Sequence, residues 1–138
     1  VRMFNVGCNC STAMFGVMVR KAYGLGVQAM CGASALVGFF TVAWPTAEFA
    51  GMNIEGSVKL GYRRELMAIE DPEERANEFN SRVDRAYEAA KAVNAAAGGG
   101  IDDVIDPAET RSWIAESLKR VPPKPHRTEK KYPYIDTW

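Results

Sequence analysis

Two rhythms of apolar and polar positions run along this chain. Short, nearly unbroken apolar runs occupy the first third, and a spacing of three and four takes over after residue 53. The runs "AMFGVMV" (13–19) and "FFTVAW" (39–44) have the length of strands buried on both faces of a parallel sheet. After Pro45, "TAEFAGM" reads as a short extended piece. Ile54, Val58, Tyr62, Leu66 and Ile69 then form one stripe, which predicts a helix over 54–69. Asp71, Pro72 and Glu74 supply an N-cap, a proline at the first helical position and an acid three residues after the cap. The helix they start has Ala76, Phe79, Val83, Tyr87, Ala90 and Val93 on its core face, and "GGG" at 98–100 stops it. After the strand-like "IDDVI", Asp106, Pro107 and Glu109 repeat the start signal, and Ile114, Leu118 and Val121 face inward from a last helix. Residues 1–10 offer neither cap nor full period and read as the end of an earlier element. No sequence repeat is visible, and strands followed by helices predict an α/β architecture.

Residues 122–138 contain four prolines and no period, which predicts an extended tail whose end docks through Tyr134, Ile135 and Trp138. The expected division is therefore a domain portion over 1–121 and a tail over 122–138.

Composition narrows the function. The 138 residues are 47% hydrophobic and 25% charged, as for one soluble domain, and 17 basic residues balance 17 acidic ones. No excess charge exists to hold a phosphate backbone or an anionic membrane, so neither is an expected partner. The longest apolar stretch, Val27 to Trp44, is interrupted by Gln28, Ser34 and Thr41 and makes a poor membrane span. The chain starts with Val1 and shows no secretory signal, so it is expected to begin within a longer protein. Cys8, Cys10 and Cys31 fit no disulfide framework and His126 lies far from them, which points to reduced thiols of a cytoplasmic protein and to no metal site.

The segment "VRKAYGLGVQAM" (19–30) carries the chemistry worth weighing. Gly24 and Gly26 stand where a strand gives way to a helix, so the N–H groups of Leu25, Gly26 and Val27 open a helix N-terminus. Such an array binds an anion or stabilises an oxyanion. A plain tight turn explains the same glycines, and Arg20 and Lys21 fit solvated charges at a strand end. The third glycine and the acid about twenty residues on that a dinucleotide loop requires are missing. Side-chain acid–base chemistry has few candidates: no serine sits in a glycine-flanked elbow, and Glu48 and Glu55 have no placement from sequence.

The blocks "RKAYGLGVQAM", "AWPTAEFAGMNIEGSVKLGYRREL" and "IDDVIDPAETR", in this order, resemble the C-terminal half of the carboxyltransferase subunit of biotin-dependent acyl-CoA carboxylases, such as propionyl-CoA or acetyl-CoA carboxylase. The resemblance covers about residues 12–121. It implies a crotonase-like α/β fold of ββα units, only part of it present. It also implies movement of a carboxyl group from carboxybiotin to the α-carbon of an acyl-CoA, at a site shared between the N-terminal half of one subunit and the C-terminal half of another. The family pattern Tyr-Gly-Gly-Ala falls on Tyr23, Gly24, Leu25 and Gly26. The backbone N–H groups of Leu25 and Gly26 would be the oxyanion hole for the biotin ureido oxygen, and Gln28 falls where a residue lines the acyl pocket.

Asn53 and Ile54 replace a Gly-Pro pair before Glu55 and Gly56, a segment that a helix start also explains, and Arg63, Arg64 and Glu65 read as a structural ion-pair cluster. Implied partners are an acyl-CoA, a biotin carboxyl carrier protein, a biotin carboxylase subunit, the missing N-terminal half and further copies in a homo-oligomer. Three alternatives stand beside this reading: a non-catalytic assembly fragment, a decarboxylase of a carboxyacyl-CoA, and a coenzyme A hydratase or hydrolase of the wider crotonase group.

Overall fold

The computed structural model describes residues 2–31 and 38–123. The glycine segment 98–100 lies within them, whereas the expected docking of Tyr134, Ile135 and Trp138 lies outside the described residues. Helix α1 (Arg2–Cys8) comes first, followed by β1 (Phe15–Met18), β2 (Lys21–Tyr23) and α2 (Gly24–Met30). Next come β3 (Phe40–Ala43), β4 (Glu48–Ala50), α3 (Ile54–Gly61) and α4 (Arg63–Ala68). The order closes with α5 (Pro72–Ala89), α6 (Ala92–Ala97), β5 (Asp103–Val104), a 3-10 turn over Pro107–Glu109 and α7 (Thr110–Arg120).

Both sheets are parallel. One has the order β1-β3-β5, the other pairs β2 with β4. The chain leaves the first sheet after Met18, and again after Ala43, to enter the second, and a helix follows each visit. This produces two ββα units, β1-β2-α2 and β3-β4-α3, although the sequence carries no visible repeat. The crossings are held by main-chain and side-chain bonds: Trp44 N–H donates to the Met18 carbonyl at 2.9 Å, and Glu48 N–H to that of Arg20 at 2.8 Å. The Thr46 hydroxyl donates to the Val19 carbonyl at 2.7 Å.

The central strand β3 is buried along its whole length, which accounts for its continuous apolar run. Ala43 and Met18 pack with Ala22, Cys31, Ala47, Ala92 and Ile101 in one cluster. On the other side, Phe40, Val42 and Ile105 pack beneath Trp113 and Ile114 of α7. The Trp113 ring meets Phe40 edge-on at 5.6 Å, and Trp44 Nε1 donates to Thr110 Oγ1 at 2.9 Å.

Four sequence expectations are corrected. Residues 2–8 form a helix in their own right. The helix expected over 54–69 is two: Tyr62 adopts φ −102° and ψ 18°, closing α3 and opening α4, so that only Ile54, Val58 and Leu66 of the stripe are buried. The long helix from Pro72 ends at Ala89, well short of the glycines. Phe49 N–H donates to the Ala90 carbonyl at 2.7 Å and Ala92 N–H to that of Ala47 at 3.1 Å, so Lys91 is drawn out as an extended bridge to Glu48. Val93 falls beyond this break and is exposed. The second start signal produces a 3-10 turn before α7, whose buried contact comes from Trp113 and Ile114, while Leu118 is exposed.

Candidate functional site

Parallel pairing of Lys21 with Glu48, Ala22 with Phe49 and Tyr23 with Ala50 alternates the side chains of the second sheet. Ala22 and Phe49 pack into the core cluster. Tyr23 and Glu48 share the opposite face as diagonal neighbours, and the Tyr23 hydroxyl donates to Glu48 Oε2 at 2.5 Å. Tyr23 is also the residue that opens α2, with φ −112° and ψ 131°.

The next residue, Gly24, has φ +60°, and a Cβ there would lie 2.8 Å from the Gly51 carbonyl oxygen. A left-handed conformation and a close backbone approach both require glycine. Leu25 and Gly26 are the second and third residues of α2, where helical geometry leaves N–H groups without an intrahelical acceptor. Leu25 is 70% exposed, and a Cβ at Gly26 would meet nothing within 4 Å. Gln28 is exposed one turn further on, on the same helical face as Gly24.

The matching corner of the second ββα unit differs. There Asn53 caps α3, its Oδ1 accepting from Gly56 N–H at 2.8 Å. No side chain caps α2. Of two topologically equivalent strand-to-helix corners, one is closed by its own asparagine and the other has no side-chain cap among the described residues.

Glu55, just inside α3, accepts a hydrogen bond from the Tyr87 hydroxyl of α5 at 2.6 Å and from Asn53 Nδ2 at 2.8 Å. The Tyr87 bond, chiefly, holds its carboxyl below the usual range, with Lys21 contributing. Burial, then the Glu48 hydrogen bond and charge, push the Tyr23 phenol far above its ordinary value. Tyr87 is raised chiefly by its bond to Glu55. Both phenols therefore keep their protons and act as donors. Lys21 Nζ lies 5.9 Å from the Tyr23 ring centroid. Four elements thus bring two tyrosine–carboxylate pairs together beside the open corner. Neither the Tyr23–Glu48 link nor the role of Tyr87 is visible in sequence, apart from the alternation that puts Glu48 and Ala50 on one strand face.

Elsewhere, Glu65 pairs with Arg82 of α5 at 2.5 Å, which also holds Glu78 at 2.6 Å, so the partner of Glu65 lies across helices and is not the expected Arg63 or Arg64. Among the described residues no group of metal-ligating side chains is present, the three cysteines are free, and no helix is long and apolar enough to cross a membrane.

The profile of the carboxyl transferase domain family matches residues 5–133. The chain belongs to that family. This carboxyl transferase chain is 40% identical over 111 residues to the methylmalonyl-CoA carboxyltransferase 12S subunit of Propionibacterium freudenreichii subsp. shermanii, a match covering 75% of this chain and 19% of that subunit. A solved transcarboxylase 12S hexamer with methylmalonyl-CoA and methylmalonic acid bound superposes with TM-score 0.77 at 32% identity, covering 96% of this chain and 26% of that one. A single-chain, multi-domain long-chain acyl-CoA carboxylase gives TM-score 0.68 at 47% identity, covering 83% and 11%. The carboxyl transferase chain spans about a fifth of the curated subunit it matches. Its two ββα units are part of a crotonase-like α/β domain, and the parent family consists of enzymes.

Proposed function

We propose that this chain forms part of one wall of a carboxyltransferase that moves a carboxyl group between biotin and the α-carbon of an acyl-CoA. Residues 1–121 are the carboxyltransferase portion and 122–138 its tail. The other wall comes from an N-terminal half, within an oligomer served by a biotin carboxyl carrier protein and a biotin carboxylase subunit.

The open corner at α2 carries this reading, by contrast with the corner that Asn53 closes. The space outside Gly26 leaves room for a ring against the main chain. Biotin, when bound, supplies the carboxyl group from a ureido nitrogen, and its ureido oxygen gains negative charge as that group departs. Leu25 and Gly26 donate their N–H groups to that oxygen. The φ of +60° at Gly24 sets these donors before the reaction, so little reorganisation is needed as charge develops. Tyr23 and Gly24 shape the floor of the turn, and Gln28, exposed one turn on, faces the acyl group.

Gly26→Pro tests the assignment. Gly26 is not among the positive-φ glycines and lies in the first helical turn, where proline is tolerated. In the carboxyltransferase containing this chain, the substitution removes one donor and lowers kcat by about 10²- to 10³-fold with thermal unfolding little changed. A folded Gly26→Pro enzyme with full kcat would refute the donor role.

A further inference from the structure

We propose that Glu48 is a positioning residue: by holding the Tyr23 hydroxyl it fixes the β2–α2 corner and so the direction of the Leu25 and Gly26 N–H groups. This rests on the reading that those two groups are the donors.

Helix α2 has little of its own to hold it in place. It is seven residues long, has no buried residue and no side-chain cap among the described residues, lies against α1 and reaches the core cluster through Val27. A helix this short is not stable by propensity alone, so its orientation depends on α1, against which it lies, and on what anchors its ends. At the C-terminal end the anchor is Cys31, which is buried in the core cluster. At the N-terminal end the three-residue strand β2 pairs with β4, and beyond that pairing stands the Tyr23–Glu48 bond at 2.5 Å.

The bond spans the two strands diagonally and joins the residue that opens α2 to the start of β4. Gly24, immediately after Tyr23, packs its backbone on Gly51, immediately after Ala50. The corner is therefore tied to β4 and to the residue that follows it, on two sides of one peptide. Tyr87 and Glu55 make a second phenol–carboxylate pair close enough to bear on the charge state of Tyr23.

The test uses Tyr23→Phe, Glu48→Ala and Glu48→Gln, read in two ways. In the carboxyltransferase containing this chain, the first two variants lower kcat about ten-fold and leave KM for the acyl-CoA within about two-fold, as expected when donors are misaligned without loss of substrate contacts. Glu48→Gln keeps an oxygen acceptor for the phenol and recovers most of the loss. The double variant Tyr23→Phe/Glu48→Ala is no worse than either single one, because both remove the same bond. The second reading needs no ligand: in the chain itself, the amide resonances of Leu25 and Gly26 shift, and their hydrogen exchange accelerates, in Tyr23→Phe and Glu48→Ala.

Variants that lower the melting temperature but leave kcat and these two amides at wild-type values would overturn the proposal. Should Tyr23→Phe fail to fold, Glu48→Ala decides. If Gly26→Pro retains full kcat, the donor reading fails. If Gly26→Pro loses activity while Tyr23→Phe and Glu48→Ala move neither kcat nor the amides, the positioning role alone fails.

Discussion

A methyl group at Gly24 would lie 2.8 Å from the Gly51 carbonyl oxygen, at a residue whose φ is +60°, while one at Gly26 would meet nothing within 4 Å. The two glycines of the turn thus respond oppositely to alanine. Gly24→Ala destabilises by about 1–3 kcal/mol through strain and contact. Gly26→Ala stabilises by about 0.5–1 kcal/mol through helix propensity, and keeps its N–H and hence most of the activity. Paired denaturant titrations of the two variants check this, and equal shifts in midpoint would contradict it. That a turn stands here is legible in the residues themselves, because glycine before a helix is a local signal. Which glycine does the turning is not, since the Gly51 carbonyl that forbids a side chain at Gly24 comes from another strand end. The Tyr23–Glu48 bond is hidden for the same reason: strand pairing alone brings these residues together.

At the scale of elements, starts are legible and ends are not. Asp71 Oδ2 accepts from Glu74 N–H at 2.9 Å, and Pro72 opens α5, as their spacing predicts. Asp71→Ala should cost about 1 kcal/mol, read as a lower denaturation midpoint with an unchanged slope. A cost near zero would mean that packing alone holds the first turn. The end of α5 follows from contacts with a distant strand. Nothing between Ala86 and Ala97 breaks a helix by composition, yet the helix stops because Phe49 N–H takes the Ala90 carbonyl and Ala92 N–H turns to the Ala47 carbonyl. At the division between α3 and α4, the exposed Tyr62 faces α5. The Tyr62 ring lies under the Arg82 guanidinium at 4.3 Å, and Arg82 is itself held by Glu65 and Glu78.

For the whole molecule, the faces left open are as informative as the core. Helices α3, α4 and α5 enclose a groove of about 840 Å³ whose lining includes Leu60, Met67 and Phe79, and Leu60 and Met67 are 66% and 69% exposed. Leu25 and Met30 add apolar surface on α2. The isolated chain should self-associate in the micromolar range, and Leu60→Asp with Met67→Asp should shift it toward monomer in sedimentation velocity. A monodisperse monomer at all concentrations would refute this. The extended bridge at Lys91 bears on how the molecule acquires its shape. Local preferences of 72–97 favour one uninterrupted helix, which the native chain interrupts at Lys91. The interruption is made by the β4 segment, distant in sequence, through the Ala47 carbonyl and the Phe49 N–H. The fold therefore overrides a local preference, and a chain deprived of the β4 contacts would leave 72–97 free to run as one overlong rod.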